Sequence, residues 1–317
     1  MTSAQAQAVA RVLATASSFL HRPGRNRAYA GTDWAVLRFV ADPDNVNPTV
    51  QSFAAQHGLS KKTVGPVVEK LVDLDCLERR ENAEDRRQKI LFLTPKGEQA
   101  RNRDPLLFLA EKLTRQFPAG AIEVFGLMIG ELSSRALEWA GERYPQFALA
   151  ERRLNASQGA PDAAAGEGGG AQDNDDASSV RRTYDIICAL SLISPCFEKA
   201  LTGSGIKRKE WAALRYFGAV ANRSDATLRS FARDNAVTLA AASVVVTDLA
   251  GRGYLQKDDR TREITLTPQG KDLLTEDPNL RIAALLDGRF DASELADIER
   301  IIEAILTSRP VDRTPKA

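Results

Sequence analysis

The chain has 317 residues, with 43 Lys and Arg against 42 Asp and Glu, a formal net charge of +1 and three cysteines. That length suggests two domains, each able to bury its own core, and the near-zero charge means that any nucleic-acid surface must be made locally by segregating Lys and Arg. The cysteines have no metal-ligand spacing, which argues against a disulfide framework and for a reducing, cytoplasmic setting; residues 1–13 lack the pattern of a secretory signal, and no apolar run reaches the roughly 18 residues of a membrane span.

In chain order, residues 5–20 predict a helix with Val9, Val12, Leu13, Ala16, Phe19 and Leu20 on one face. Arg22–Arg27 is a basic turn. Thr32 or Asp33 is the expected cap of a second helix that turns Trp34, Leu37 and Val40 inward. Asp42–Pro48 has loop composition. A short helix follows over Val50–His57 and ends at Gly58, with Phe53 and Ala54 as core contacts. The lone His57 at its end suits a capping or solvated role better than a ligand role.

Ser60 then caps a helix whose Val64, Val67, Val68 and Leu71 recur at the spacing of one buried face. The other face carries Lys61, Lys62, Gly65, Pro66, Glu69 and Lys70. Lysines at a helix N-terminus oppose the helix dipole, which is tolerable where an anion docks. Pro66 in a helix interior costs about 3 kcal/mol. Either Gly65-Pro66 shapes a close approach to a partner, or the helix starts at Pro66; the cap at Ser60 favours the earlier start. Cys76–Arg80 and Arg86–Leu93 form the arms of a hairpin with a charged turn, its second arm basic at Arg86, Arg87 and Lys89. Thr94 and Pro95 open the next helix. Helix, basic hairpin and helix in this order make a winged helix-turn-helix, with one helix for the major groove and the hairpin for the backbone or minor groove.

Lys96–Gln116 is helical but interrupted at Asp104-Pro105. Ala119–Trp139 is a helix with Ile122, Phe125, Met128, Ile129, Leu132 and Ala136 inward. Asn155–Ser179 is rich in Gly, Ala and Asp and predicts a disordered linker, spanning on the order of 25–30 Å on average. From Val180 a second module begins with the strongly apolar helix Tyr184–Leu201, which holds Cys188 and Cys196; inert buried thiols are the expectation, a redox role the alternative.

That module repeats the first. WAVLRF at 34–39 matches WAALRY at 211–216, Ser60 matches Thr238, and Val67, Val68 and Leu71 match Val245, Val246 and Leu249. LTPKG at 93–97 matches LTPQG at 266–270, and Asp104-Pro105 matches Asp277-Pro278. The last helix, Ala292–Leu306, is apolar at Leu295, Ile298, Ile301, Ile302 and Ile305. One fold used twice is the economical reading: mainly α with small β wings, two winged helix-turn-helix domains (1–154 and 180–317, joined by 155–179) arranged as an intramolecular pseudo-dimer.

WAVLR at 34–38, SKKTV at 60–64, LERR at 77–80, DRR at 85–87 and LTPKG at 93–97 together resemble the MarR family of bacterial transcription regulators. The resemblance covers about residues 5–140 and, more loosely, 180–307. It implies a dimer-like arrangement, since members are usually homodimers of one such domain, with the first and last two helices forming the interface. It also implies that an Arg in the wing reaches the minor groove, held by the Asp two positions before it; Arg87 with Asp85 fits, and Arg260 with Asp258 fits in type on a shorter wing. A small-molecule effector is implied by the resemblance alone, with no identity or pocket.

The copies differ on their outward faces. The second reading helix carries Leu239, Ala240, Ser243, Val244, Thr247 and Asp248, so Lys61 and Lys62 have become apolar. The expected function is therefore a sequence-specific duplex-DNA-binding transcription regulator of repressor type. Its DNA contacts are expected from Ser60, Lys61, Lys62, Thr63, Gly65, Pro66, Lys70, Arg86, Arg87 and Lys89 in the first module and Ser243, Thr247, Arg260 and Arg262 in the second. It would act as a monomeric pseudo-dimer on an imperfect palindrome. The alternative is an interaction protein that has lost DNA reading and binds another regulator. No catalytic constellation, metal site or cofactor motif is expected; His21 and His57 lie on unrelated segments, and GEGGG at 166–170 does not follow a strand.

Overall fold

The computed structural model describes residues 5–10, 13, 29–82, 85, 87–140, 144–158, 171–201, 205–219, 226–235, 237–258 and 260–308. The protein is mainly helical, with two small antiparallel sheets of two strands each. The first half runs α1 (Gly31–Ala41), α2 (Val50–Gln56), α3 (Lys61–Asp73), β1 (Leu77–Glu81), β2 (Lys89–Leu93), α4 (Pro95–Arg101), α5 (Pro105–Gln116), α6 (Ala119–Ala140) and α7 (Pro145–Gln158). The second runs α8 (Ala171–Leu201), α9 (Arg208–Ala219), α10 (Leu228–Asp234), α11 (Leu239–Gly251), β3 (Leu255–Lys257), β4 (Ile264–Leu266), α12 (Pro268–Leu274), α13 (Pro278–Asp287) and α14 (Ala292–Thr307). From α1 to α5 and from α9 to α13 the element order is the same.

Local chemistry sets the boundaries in both halves alike. Thr49 and Thr227 cap α2 and α10, accepting from Ser52 N at 3.0 Å and Ser230 N at 3.2 Å. Ser60 and Thr238 cap α3 and α11, accepting from Thr63 N at 3.1 Å and Ala241 N at 3.2 Å. Pro95, Pro105, Pro268 and Pro278 each stand in the first turn of a helix, where the missing N–H costs nothing. The repeated LTPxG segment has a steric cause. Thr94 and Thr267 cap α4 and α12 while donating to Asp75 O and Gly253 O, each at 2.6 Å. A Cβ at Gly97 would lie 2.0 Å from Cys76 O, and one at Gly270 would lie 2.1 Å from Tyr254 O. Only glycine lets this turn close onto the chain leaving the preceding helix.

β1 and β2 pair from Leu77↔Leu93 to Glu81↔Lys89, β3 and β4 from Leu255↔Leu266 to Lys257↔Ile264. A loop residue adds one backbone bond to each hairpin, Leu91 N to Pro48 O at 2.7 Å and Ile264 N to Ala226 O at 2.9 Å.

Packing divides into three clusters. One joins Trp34, Leu37, Phe53, Val64, Val68, Leu71, Leu77 and Leu91 under the first hairpin. A second joins Trp211, Leu214, Phe217, Phe231, Val246, Leu249, Leu255 and Ile264 under the second. The third is central and draws on both halves: Val9 and Leu13, α5, α6 and α7, then Ile186, Ile187, Leu190 and Ile193 of α8, and Ile282, Ile298, Ile301 and Ile305 of α13 and α14. α8 packs against α5, α6 and α7, and α14 against α6. At Gly126 a Cβ would meet Ile186 Cδ1 at 2.8 Å, so α6 and α8 approach closely there. Polar bonds cross the same contact: Thr114 to Thr183 at 2.8 Å, Arg182 to Glu123 at 3.0 Å and Lys112 to Ser308 at 2.8 Å.

Two expectations change, one helix was not anticipated, and one expectation is only partly described. α1 begins at Gly31, so neither Thr32 nor Asp33 stands at the cap position; Asp33 instead accepts from Ala30 N at 2.5 Å from inside the first turn. The segment 155–179 is not a linker throughout: residues 155–158 finish α7 and 171–179 open α8. The apolar run beyond Val180 supplies a packed nucleus from which the helix extends back through residues 171–179, whose acidic side chains suit a helix N-terminus. α7 itself had no sequence expectation, although Phe147, Ala150 and Leu154 are buried at helical spacing. The helix expected over 5–20 is present at residues 5–10; most of its remainder, and the basic turn 22–27, lie outside the described residues.

Candidate functional site

The outward face of α3 follows from its inward one. With Val64, Val68 and Leu71 buried, Lys61, Lys62, Thr63, Pro66 and Glu69 face solvent. The helix starts at Lys61, so Pro66 is interior, and the carbonyl of Lys62 has no N–H four residues on. A Cβ at Gly65 would meet nothing within 4 Å. The fold itself thus requires neither the glycine nor the proline.

The candidate cations divide by what they touch. Lys61 Nζ donates to Gln51 Oε1 of α2 at 2.9 Å. Lys62 has no ion-pair or hydrogen-bond partner among the described residues. Lys70 turns to Asp33 at 2.6 Å, because that carboxylate is only 2% exposed and a buried charge needs a counter-charge. Lys89 pairs across the hairpin with Glu81 at 2.8 Å and holds that carboxyl below its usual range. Ser60 and Thr63 bond each other at 2.8 Å within the cap. Lys62 is therefore the uncommitted cation of this helix, and Lys70 serves the module's own core.

The hairpin tips repeat one device. Asp85 Oδ1 accepts from Arg87 N at 3.0 Å, and Asp258 Oδ1 accepts from Arg260 N at 2.8 Å. Each Asp grips the backbone of the Arg two residues on, a side-chain-closed turn. Neither guanidinium has an ion-pair or hydrogen-bond partner among the described residues, and both residues are exposed. The Asp thus positions the Arg without neutralising it through a direct contact. Arg86 lies outside the described residues. Arg262 is exposed with φ +60, a left-handed backbone that a non-glycine residue rarely takes.

The α11 face is chemically different. Leu239 is 49% and Val244 71% exposed. Ala240 and Thr247 are exposed, Ser243 is half-buried, and the acid Asp248 approaches Arg252 at 3.5 Å. No lysine or arginine lies on this helix.

Beneath these faces lies a pair that sequence reasoning missed. Arg38 of α1 binds Asp104, the cap of α5, through Nε at 2.5 Å and Nη2 at 2.7 Å. Arg215 binds Asp277 in the same way at 2.8 and 2.6 Å. The signal was present, since WAVLR/WAALR and Asp-Pro/Asp-Pro both recur, but nothing in sequence says that they touch. In the first copy Tyr184 of α8 adds a bond to Asp104 at 2.8 Å. Burial pushes the Asp104 carboxyl up, but Arg38, Leu106 N–H and Tyr184 outweigh it and hold it below its usual range. Arg153 of α7 reaches Asp42 at 3.0 Å, a further tie from the first module to the central helices.

His57 caps α2 rather than standing ready as a ligand. It stacks on Phe53 at 4.0 Å, its Nδ1 lies 3.1 Å from Phe53 O, and its own carbonyl accepts from Gln146 of α7. Burial, followed by nearby Arg153 and Arg38, pushes its pKa down to about 4. Gly58, at φ +60, completes the helix end, and a Cβ there would meet Gln146 Nε2 at 2.7 Å. Cys76 and Cys188 are free, buried thiols, and burial pushes the Cys188 thiol up; the Cys196 side chain is outside the described set.

Among the described residues no group of three His, Cys, Asp or Glu could hold a metal ion, and no helix is long and apolar enough to cross a membrane. Comparisons with protein-family models, curated proteins and solved structures give no match. The class defined by the fold is a mainly helical protein with two small antiparallel hairpins.

Proposed function

We propose that the chain is a sequence-specific duplex-DNA-binding transcription regulator, built as two winged helix-turn-helix modules in one pseudo-dimer and acting as a repressor. The observation that carries this reading is the repeated hairpin tip. In both copies an Asp grips the backbone of an exposed Arg, beside a capped helix with an exposed outer face. A cation held at the tip of a two-stranded ribbon suits a phosphate backbone or a narrow minor groove, and a helix beside it suits the major groove. The core shared by α5–α8, α13 and α14 would fix the two modules in one frame, so that both half-sites are read at set spacing. The first module, with Lys62 and Arg87, supplies most of the phosphate contacts.

The test is binding of the full chain to genomic duplex fragments across a salt series. Lys62→Ala with Arg87→Ala should weaken binding to all fragments and lower the slope of log affinity against log salt by about 2. Absence of any shift at micromolar protein, or an unchanged slope in the double variant, would sink the reading.

A further inference from the structure

We infer that the face of α11 reads a thymine-rich half-site through the C5-methyl groups of its bases. The inference rests on the proposed DNA reading and deepens it. Position by position, Lys61, Lys62 and Pro66 of α3 correspond to Leu239, Ala240 and Val244 of α11. Val244 is 71% exposed at the middle of this face and Leu239 49% exposed at its start. An exposed Val and Leu gain nothing from phosphate, and neither can donate to guanine O6 or N7. What such a face matches in the major groove is the thymine methyl, the apolar group displayed on a base edge there.

Charge favours DNA over a protein partner: of the acids on this surface, Asp248 pairs with Arg252 at 3.5 Å and Asp258 holds the Arg260 backbone. β3 packs against α11, so the apolar face is followed directly by a hairpin bearing exposed Lys257, Arg260 and Arg262. Arg260 is set by Asp258. Arg262 occupies a left-handed backbone position where Gly or Asn would be less costly, and a cation stands there nonetheless. Cations beside a small apolar face suit a groove wall with phosphates at its rim.

The experiment selects duplexes bound by the full-length chain from a randomised pool. It then replaces thymine by deoxyuridine, which lacks only the methyl, in one half-site at a time. The expected result is loss in one half-site only, about fourfold per contacted methyl, the equivalent of exposing one methyl-sized group. In the double variant Leu239→Ala with Val244→Ala, folded by circular dichroism, that loss should disappear while the other half-site is bound as before. Deoxyuridine without effect in either half-site of a tightly bound duplex overturns the inference and leaves the proposed function standing. A double variant that keeps full affinity and full deoxyuridine sensitivity also overturns it and places the methyl contacts on other side chains. Failure to select any duplex removes both.

Discussion

α3 with its hairpin and α11 with its hairpin are two surfaces on one skeleton. Their inward parts agree in detail: Ser60 and Thr238 cap, Val68 and Val246 are buried, and Gly97 and Gly270 face equivalent backbone oxygens, Cys76 O and Tyr254 O. Their hairpin tips share the Asp–Arg turn, but the outward faces of the two helices share little. Lys62 faces solvent where the other copy has Ala240, and Pro66 where it has Val244. Packing constrains the first set of positions at a cost of kilocalories per methyl group, whereas solvent constrains the second hardly at all. Pro66 and Arg262, both outward, break a local rule, and on the proposed function contact with DNA is the reason.

The comparison can be broken first at the buried ion pairs. Asp104→Ala leaves Arg38 buried without its counter-charge and strands the Tyr184 hydroxyl, so a loss of about 3–5 kcal/mol is expected in chemical denaturation. Asp277→Ala should cost less, because among the described residues no tyrosine bonds to Asp277. Equal losses would mean that Tyr184 does not couple the first module to α8.

Gly97→Ala and Gly270→Ala test the sameness of the skeletons. Each places a Cβ against a carbonyl oxygen, at 2.0 and 2.1 Å, and backbone must move. Both should lower stability by about 3 kcal/mol, the upper end for overpacking. A tolerated substitution in one copy alone would show that the two turns are not equivalent.

A third difference is titratable. His57 Nδ1 and Asn235 Nδ2 both donate to a phenylalanine carbonyl four residues back, at 3.1 and 3.0 Å, but only the histidine can charge. The unfolded imidazole takes up a proton near 6.5 and the folded one not until about 4. Between those values the unfolded chain alone is protonated, so stability falls as pH drops from 6.5 to 4, by on the order of 2–3 kcal/mol. Hydrogen exchange should show this loosening in α1–α4 and not in α9–α12. His57→Asn, which installs the second copy's side chain, should remove it.

The smallest effect tests the outer face of α3. Pro66→Ala restores the donor to Lys62 O, and that hydrogen bond alone should stabilise the chain by about 1 kcal/mol. On the proposed function it should also weaken DNA binding. A variant that gains stability with unchanged affinity would make Pro66 a plain defect of the helix.

Much of the local structure was legible in sequence. Caps at Ser60, Thr94 and Thr238, prolines in first turns and the burial of Ile298, Ile301 and Ile305 depend on neighbours within a turn or two, and period and residue type report them. The shorter second hairpin follows from spacing alone. Less was legible at the candidate site. Lys61, Lys62 and Lys70 look equivalent in sequence, yet only the fold turns Lys70 onto Asp33 and Lys61 onto Gln51. The linker estimate erred because composition is read locally, whereas the start of α8 is held by contacts that its later residues make with α5, α6 and α7.

The sequence by itself thus determined two copies of one helix-and-hairpin pattern and the chemical contrast between their outer faces, since both depend on residue type and spacing. The tertiary structure decided which cations remain available, that Arg38 meets Asp104, and that α8 and α14 complete a core begun by α5 and α6. Those outcomes depend on residues tens to hundreds of positions apart, and only packing brings them together.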